Sequence, residues 1–361
     1  MRFCLIAKVY PRSGWTFAIK PPVPNKSLPI QGDTLIPDGS RDLEPMSRRT
    51  RRTLLIVAAL LVLVAVAVVL RSKAPPEAAR LLPECDGIVY IDLKPVRALF
   101  HKEWKPPAHS PEYQQFIDAI GIDPERDLDQ AAIALHRMAD ANGPNGPAAY
   151  SMVLVGKITG QRLNTWLDAH AASRESYAGH TIYNIPSEGR TVRVAQIGYD
   201  TVAVSNFPTP EKIHAIIDRR RTAAWPLSGS TLLENHYHDV PLLSLAWGMG
   251  QIGLPFSESG AISIFGLKLP LESDSTFIAS LRWAGSLRLR IEEIAPSEAT
   301  ATSQAADLAT LVTLARGFTE PLGSNSANNS MKELLRTAEV TQRRDRVVVT
   351  ATLPGSFFAG L

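Results

Sequence analysis

Apolar and polar residues alternate along this chain with two different periods. A period of two, typical of half-buried strands, occurs over residues 87–93, 131–135, 150–156, 191–206, 276–283, 287–292 and 346–354. Helical spacing occurs over residues 95–101, 111–120, 161–172, 210–220, 298–319 and 331–337. Because the strands come mostly as hairpins, the pattern predicts an α+β fold in which antiparallel hairpins pack against amphipathic helices.

The hairpin over residues 276–292 has a predictable register. Apolar side chains alternate with polar ones on both of its strands. For the two apolar sets to share one face, Trp283 must lie opposite Leu287. Residues 284–286 then form a three-residue loop in which Gly285 can take a positive φ. The helix over residues 298–319 carries an apolar stripe suited to covering that face.

A hairpin followed by a helix occurs twice, at residues 191–220 and 276–319. This recurrence suggests that the domain over residues 85–361 consists of two related halves, 85–225 and 226–361. The sequence identity between the halves is too low to indicate a duplication.

An uninterrupted apolar run precedes that domain. Between Arg52 and Arg71, Thr53 is the one polar residue, and a helix of this length spans ~27 Å, close to the thickness of a bilayer core. The run therefore predicts a transmembrane helix over residues 53–70, with the lipid bilayer as its partner. Arginines at 48, 49, 51 and 52 precede it, which places the N-terminus in the cytoplasm and residues 74–361 outside.

Other interpretations of the run are a buried core helix and a cleaved export signal, and its length favours an anchor that is retained. Residues 1–52 are expected to form a cytoplasmic tail, Pro-rich and disordered over 1–45 and then Arg-rich. Met46 stands directly before the arginines, so translation could start at Met1 or at Met46. Residues 71–84 are expected to form a linker.

Charge is divided unevenly between the two parts of the chain. Residues 1–73 hold 12 basic and 4 acidic residues out of totals of 38 and 35, which leaves 26 basic and 31 acidic residues in the remainder. Residues 74–361 therefore have a net charge of about −5. This balance argues against nucleic-acid binding.

A glycine motif raises the question of a dinucleotide cofactor. Gly248, Gly250 and Gly253 match G-x-G-x-x-G, but that fingerprint requires a helix to open within the motif. Pro255 follows closely, and the next residues show no helical period. No cofactor is expected.

The strongest metal-site candidate is the segment ENHYHD. If this segment is extended, Glu234, His236 and His238 share one face, and two histidines with a carboxylate can bind zinc. A zinc-bound water would then support hydrolysis. No third histidine follows at a fixed spacing, so exposed loop histidines are the competing interpretation.

A basic patch is expected on the outer face of the 276–292 hairpin. It comprises Arg282, Arg288 and Arg290, with arginines 343, 344 and 346 joining it if the final strand is adjacent. Such a patch suits lipid head groups or another anionic envelope surface. The competing interpretation is a solvated face balanced by nearby glutamates.

Three stretches, ARLLPECDGIVYIDL, GIDPERDLDQAAIAL and MKELLRTAEVTQRRDRVVVTATLP, resemble a group of bacterial single-pass membrane-anchored proteins of unknown function. The resemblance spans residues 47–361. It implies a short cytoplasmic start, one membrane crossing and an exported α+β domain, and it supplies no catalytic residue.

Two hypotheses follow. The first is a non-enzymatic protein of the inner membrane, whose exported domain serves as a binding or structural module and contacts an envelope protein or an anionic surface. The second is an exported metal-dependent hydrolase that uses His236 and His238.

Overall fold

A computed structural model describes most of the chain after residue 73. The described residues are 56–64, 74–100, 109–140, 142–143, 146–158, 160–222, 229–251, 261–264, 267–270, 275–319 and 326–353. The helices are α1 (56–64), α2 (Glu77–Arg80), α3 (Leu93–Phe100), α4 (Pro111–Ile120), α5 (Pro124–Asp127), α6 (Gly160–His170), α7 (Glu211–Thr222), α8 (Thr231–His236), α9 (Glu298–Thr319) and α10 (Ser326–Thr337).

Fourteen strands are present in this part of the chain. They are β1 (Gly87–Asp92), β2 (Leu128–Arg137), β3 (Ala148–Gly156), β4 (Ser173–Tyr177), β5 (His180–Ser187), β6 (Arg190–Gln196), β7 (Thr201–Ser205), β8 (Ser244–Gln251), β9 (Ala261–Ile264), β10 (Leu267–Pro270), β11 (Thr276–Trp283), β12 (Leu287–Ile294), β13 (Glu339–Arg343) and β14 (Arg346–Leu353).

Twelve of these strands form one antiparallel sheet. Its order is β13-β14-β12-β11-β8-β1-β2-β3-β7-β6-β5-β4, and β9 and β10 form a separate hairpin. The junction between the N-terminal and C-terminal strands is the pairing of β1 with β8, in which Gly87 lies opposite Gly250 and Ile91 opposite Ala246. The sheet therefore runs without a break through both predicted halves.

Strand order repeats on the two sides of this junction. Outward from β1 the order is β1, β2, β3, β7, β6, and outward from β8 it is β8, β11, β12, β14, β13. Along the chain, β3 is followed by α6 and the β4–β5 hairpin before β6 and β7 return, and β12 is followed by α9 and α10 before β13 and β14 return. The correspondence predicted between residues 191–220 and 276–319 is therefore wrong, because β6 and β7 occupy the places of β13 and β14.

Both faces of the sheet carry helices. Face A contains Ile88 and Met249, which pack in one core with α2, α7 and α8. Face B contains Val89 and Gly248. On face B, α4 and α6 pack over β5 to β7, and α9 and α10 pack over β11 to β14. α4 and α6 form one wall of the site described below.

The predicted hairpin register is confirmed. Trp283 pairs with Leu287, and Gly285 has a φ of 77° in the loop between them. The predicted bounds of α4 are confirmed as well. The Oγ atom of Ser110 accepts a hydrogen bond from the Tyr113 amide at the N-terminus of α4, and Gly121 ends the helix in the left-handed conformation.

The predicted fold class is wrong in two respects. First, the strands do not remain hairpins that each pack against helices, since they join, through the pairing of β1 with β8, into one twelve-stranded sheet. Second, among the described residues no helix is long and apolar enough to cross a membrane. Of the predicted span 53–70, residues 56–64 form α1, and the rest lies outside the described residues.

The predicted linker over residues 71–84 contains α2. Ala78, Ala79, Leu81 and Leu82 are almost completely buried in the face A core. This part of the chain is thus integral to the folded domain. The predicted tail over residues 1–52 lies outside the described residues.

Candidate functional site

The metal-site candidates lie at the end of a helix. α8 contains Glu234 and ends at His236, and Tyr237–Asp239 continue as a 3₁₀ turn, so the extended segment that the zinc hypothesis required is not formed. Both histidines face the Asp239 carboxylate: His236 Nδ1 lies 4.0 Å and His238 Nε2 lies 3.4 Å from its Oδ2 atom. In the described ranges, no three His, Cys, Asp or Glu side chains are grouped as a metal ion would require.

Asp239 belongs instead to an ion cluster with the sheet. Arg346 of β14 bonds Asp239 at 2.8 Å and the buried Glu292 of β12 at 2.9 Å. These two carboxylates raise the pKa of Arg346 above its ordinary value. The cluster fixes the turn after α8 against face A, which is a structural role.

The predicted arginine patch is brought together only in part. Arg282 pairs with Arg288 across β11 and β12, and both share face A with Arg290. Arg290, however, bonds the buried Glu292 at 2.8 Å, and β14 brings Arg346 to the same carboxylate. No described carboxylate pairs with Arg282 or Arg288. Binding of an anionic surface by this patch stays a prediction.

The glycine motif contributes to a strand. Gly248 and Gly250 lie in β8, and Gly253 falls outside the described residues. A Cβ atom at Gly248 would lie 3.3 Å from the Ile88 carbonyl oxygen in β1. Close packing of two central strands accounts for this glycine.

A buried serine–histidine network lies on face A. His136 Nε2 is 2.9 Å from Ser151 Oγ, which is 2.9 Å from Ser205 Oγ. Exposure of these three side chains is 2%, 0% and 1%. The serine hydroxyls are therefore closed to any substrate, although their arrangement was not identified from the sequence.

A cavity that could hold a ligand lies on face B beneath α4 and α6. It has a volume of about 340 Å³, within the range of small-molecule sites. Its lining consists of Phe116, Ile120, Ile122, Pro124, Leu128, Leu154, Ile158, Leu163, Trp166, Leu167, Ile185, Ser187, Val192, Val194, Val202 and Val204. Ser187 is the polar member of this set. The wall is therefore almost purely apolar.

The side chains of the cavity wall follow the periodicity of the strands and of the helix that carry them. On the sheet side, Val194 pairs with Val204 and Ile185 pairs with Val192, so that successive rows of side chains point to the same face. On the helix side, Leu163, Trp166 and Leu167 of α6 have the i, i+3, i+4 spacing of one helical face. Two such surfaces enclose a cavity when their side chains do not fully interdigitate.

The two ends of the cavity differ in how far their side chains are buried. Val194 and Val202 are 8% and 5% exposed, whereas Val192 and Val204, one step further along the same strands, are half-buried. Ser187 is exposed at the end of β5. The cavity is thus closed near Val202 and opens near Ser187.

Two aromatic side chains form the outer wall. Phe116 of α4 and Trp166 of α6 meet edge to face with their ring centroids 5.3 Å apart. Phe116 is 39% exposed although it also lines the cavity. The wall between the cavity and solvent is therefore one side chain thick at this point.

Sequence reasoning missed this cavity. The alternation over residues 191–206 and the helical spacing over 111–120 and 161–172 indicated buried faces, but no pattern shows how closely two faces pack.

Neither a known protein family nor a curated protein matches the chain. Similar solved structures include three crystal forms of TP0453. Form III has a TM-score of 0.41 and 10% identity over 80% of this chain and 99% of that chain. Form I has 0.38 and 9% over 80% and 97%, and form IV has 0.39 and 10% over 78% and 95%. Similarity at this level shows neither a shared ligand nor a shared function.

Proposed function

We propose that this protein is a non-enzymatic binding protein that holds a hydrophobic ligand in the cavity beneath α4 and α6. The observation that carries the proposal is the composition of the wall, in which fifteen of the sixteen lining side chains are apolar. Transfer of an apolar ligand from water into such a cavity is favourable by roughly 25 cal/mol for each Å² of apolar surface removed from water.

A polar ligand would be disfavoured in the same cavity. Each hydroxyl or amide group that lost its water without gaining a partner would cost about 1–3 kcal/mol. Ser187 is the lining residue with a polar side chain, and it lies at the open end. The closed end therefore selects for a ligand that is apolar along its length.

No arrangement within the described part of the chain favours the metal-dependent hydrolase. The proposal includes the absence of enzymatic activity. This part is supported by the cavity wall, which carries no acid, base or nucleophile apart from the Ser187 hydroxyl. The location in the cell envelope rests on the sequence and stays a prediction.

The proposal is tested by filling the cavity. Val192→Trp adds a large side chain at the half-buried row near the open end, and we expect the affinity for Nile red, a neutral apolar dye, to fall at least about tenfold, equivalent to ~1.4 kcal/mol. Binding is measured by titration of dye fluorescence with purified protein.

Thr191→Trp is the matched control. Thr191 is the preceding residue on β6, is exposed and points to face A, so its replacement leaves the cavity unchanged. Equal dye affinity for both variants, or no dye binding by the unaltered protein, would contradict the proposed function.

A further inference from the structure

A second pocket lies beyond the closed end of the cavity, where β5 and β6 separate. β5 remains paired with β4 as far as His180, which lies opposite Tyr177, and β6 remains paired with β7 as far as Gln196. Pairing between β5 and β6, however, ends at Tyr183 and Val194. A cleft of about 370 Å³, within the range of small-molecule sites, opens at this point.

We refer to this cleft as the β5–β6 pocket. Its polar and aromatic lining residues are Asn164, His180, Thr181, Tyr183, Gln196 and Tyr199, and Ile197 and two glycines complete the wall. None of these nine residues is Asp, Glu, Lys or Arg. The pocket therefore offers hydrogen-bonding side chains without a permanent charge.

Two side chains of this pocket are held in place by contacts around it. The Nδ1 atom of His180 donates a hydrogen bond to the Gln196 carbonyl oxygen at 3.1 Å, so that Nε2 of the neutral ring remains as an acceptor. The Gln196 side chain lies against the first turn of α6, because a Cβ atom at Gly160 would lie 2.5 Å from its Oε1 atom. The same Oε1 atom is 3.5 Å from Asn164 Nδ2, and the Gln196 amide N–H groups have no partner among the described residues.

An exposed aromatic side chain stands at the rim of the pocket. Tyr199 lies in the turn between β6 and β7 and is 84% exposed, although it also lines the pocket. Its ring therefore contributes little to the core and leaves a flat aromatic surface open beside the polar groups. A ligand that covered this surface would remove apolar area from water.

We propose that the β5–β6 pocket binds an uncharged sugar ring, with its hydroxyl groups bonded by the amides and the imidazole of the pocket and one ring face on Tyr199. This site is separate from the apolar cavity, because Tyr183 lines the pocket whereas Val194, its partner on β6, lines the cavity. The inference therefore adds a second ligand to the proposed function and does not rest on it.

The chemistry of the wall selects against charged and apolar ligands. An ion would lose water without gaining an opposite charge, and a hydrocarbon would leave the amide groups and the imidazole nitrogen without partners. A sugar hydroxyl both donates and accepts hydrogen bonds, so it pairs with the N–H donors of Gln196 and with the acceptor nitrogen of His180. The C–H groups on one face of a sugar ring carry small positive charges, which are attracted to the negative face of an aromatic ring.

An extended peptide fits this pocket less well. A strand inserted between β5 and β6 would need the backbone groups of both strands as partners. The His180 side chain bridges the gap to the Gln196 carbonyl oxygen, so a strand could not enter without breaking that bond. The pocket is therefore suited to a compact ligand.

The test uses saturation-transfer difference NMR of the purified full chain with five probes. They are methyl α-glucopyranoside, methyl α-galactopyranoside, maltotriose, the anion methyl α-glucuronide and the blocked peptide acetyl-alanine methylamide. We expect at least one neutral sugar to bind about tenfold more tightly than the anion or the peptide. Tighter binding of maltotriose than of methyl α-glucopyranoside would identify a sugar chain as the ligand, and equal binding would identify a single sugar unit; both results support the site.

Tyr199→Ala is expected to weaken sugar binding at least about fivefold, whereas Tyr199→Phe keeps the ring face and is expected to retain most of the affinity. Tyr113→Ala is the matched control, since Tyr113 is a 38% exposed tyrosine on α4 and does not line the pocket. Gln196→Met removes the amide and is expected to weaken binding about tenfold. Gln115→Met, at an exposed position on α4, is its control. Thermal denaturation of each variant verifies that it is folded.

The two proposals fail in different ways. No binding of any neutral sugar, tighter binding of the anion or the peptide, or unchanged sugar affinity in folded Tyr199→Ala or folded Gln196→Met protein would overturn the sugar site. These results leave the apolar cavity standing, because Gln196→Met is expected to bind Nile red as the unaltered protein does. Absence of Nile red binding together with sugar binding would overturn the proposed function and leave the sugar site standing.

Discussion

Replacement of Trp247 by alanine is expected to lower the free energy of unfolding by about 3–5 kcal/mol. Trp247 is 4% exposed in β8, and its ring stacks on that of Tyr90 in β1 with 5.3 Å between centroids. The Tyr237 ring contacts it edge to face at 5.6 Å. Loss of this side chain leaves a cavity where the N-terminal and C-terminal strands meet.

Urea denaturation followed by circular dichroism measures the effect. Trp283→Ala serves as the control, since this tryptophan is 38% exposed at the end of β11, and we expect it to cost less than half as much as the change at Trp247. Similar losses for the two variants would show that the β1–β8 junction is not the buried centre of the domain.

Acid is expected to destabilise the protein through His136. Burial lowers the pKa of this histidine to about 4, with the positive charge of Lys212 acting in the same direction. In the unfolded chain its pKa is near 6.5. Between these values the unfolded state binds a proton that the folded state does not, so stability is complete above pH 6.5 and decreases as the pH falls toward 4.

The decrease amounts to about 1.4 kcal/mol for each pH unit in this window, or roughly 3 kcal/mol at pH 4. His136→Gln keeps a polar partner for Ser151 and removes the titration. Urea midpoints at several pH values should therefore fall more steeply for the unaltered protein than for this variant. His170→Gln, at an exposed position on α6, should behave as the unaltered protein does. Parallel curves for all three proteins would refute the assignment to His136.

Local pattern predicted the parts of this fold that depend on neighbours in sequence. The β11–β12 register follows from two apolar sets that must share a face, and α4 follows from the helical spacing over residues 111–120, which Gly121 ends. These signals act within one hairpin or one helix.

The central strand β8 escaped prediction because small residues obscure its alternation. Ala246, Gly248 and Gly250 lie on face B, so the strand shows large side chains on one face only. β4 escaped for the opposite reason, since its sequence SRESY is almost entirely polar. Without β8, the pairing that joins the two sets of strands could not be anticipated.

The cavity beneath α4 and α6 escaped prediction because it depends on distances between elements far apart in the sequence. Its sheet side comes from β3, β5, β6 and β7, and its far wall comes from α4 and α6.

The outermost strands of the described sheet, β4 and β13, present backbone N–H and C=O groups that face away from their partners. An open sheet of this width could recruit strands from other molecules and aggregate. Each outer strand is short, and each carries charged residues, Arg174 and Glu175 in β4 and Glu339 and Arg343 in β13. These charges would have to be desolvated if a strand of another molecule paired there. Strand addition, and the aggregation that it would start, is therefore disfavoured at both edges of the described sheet.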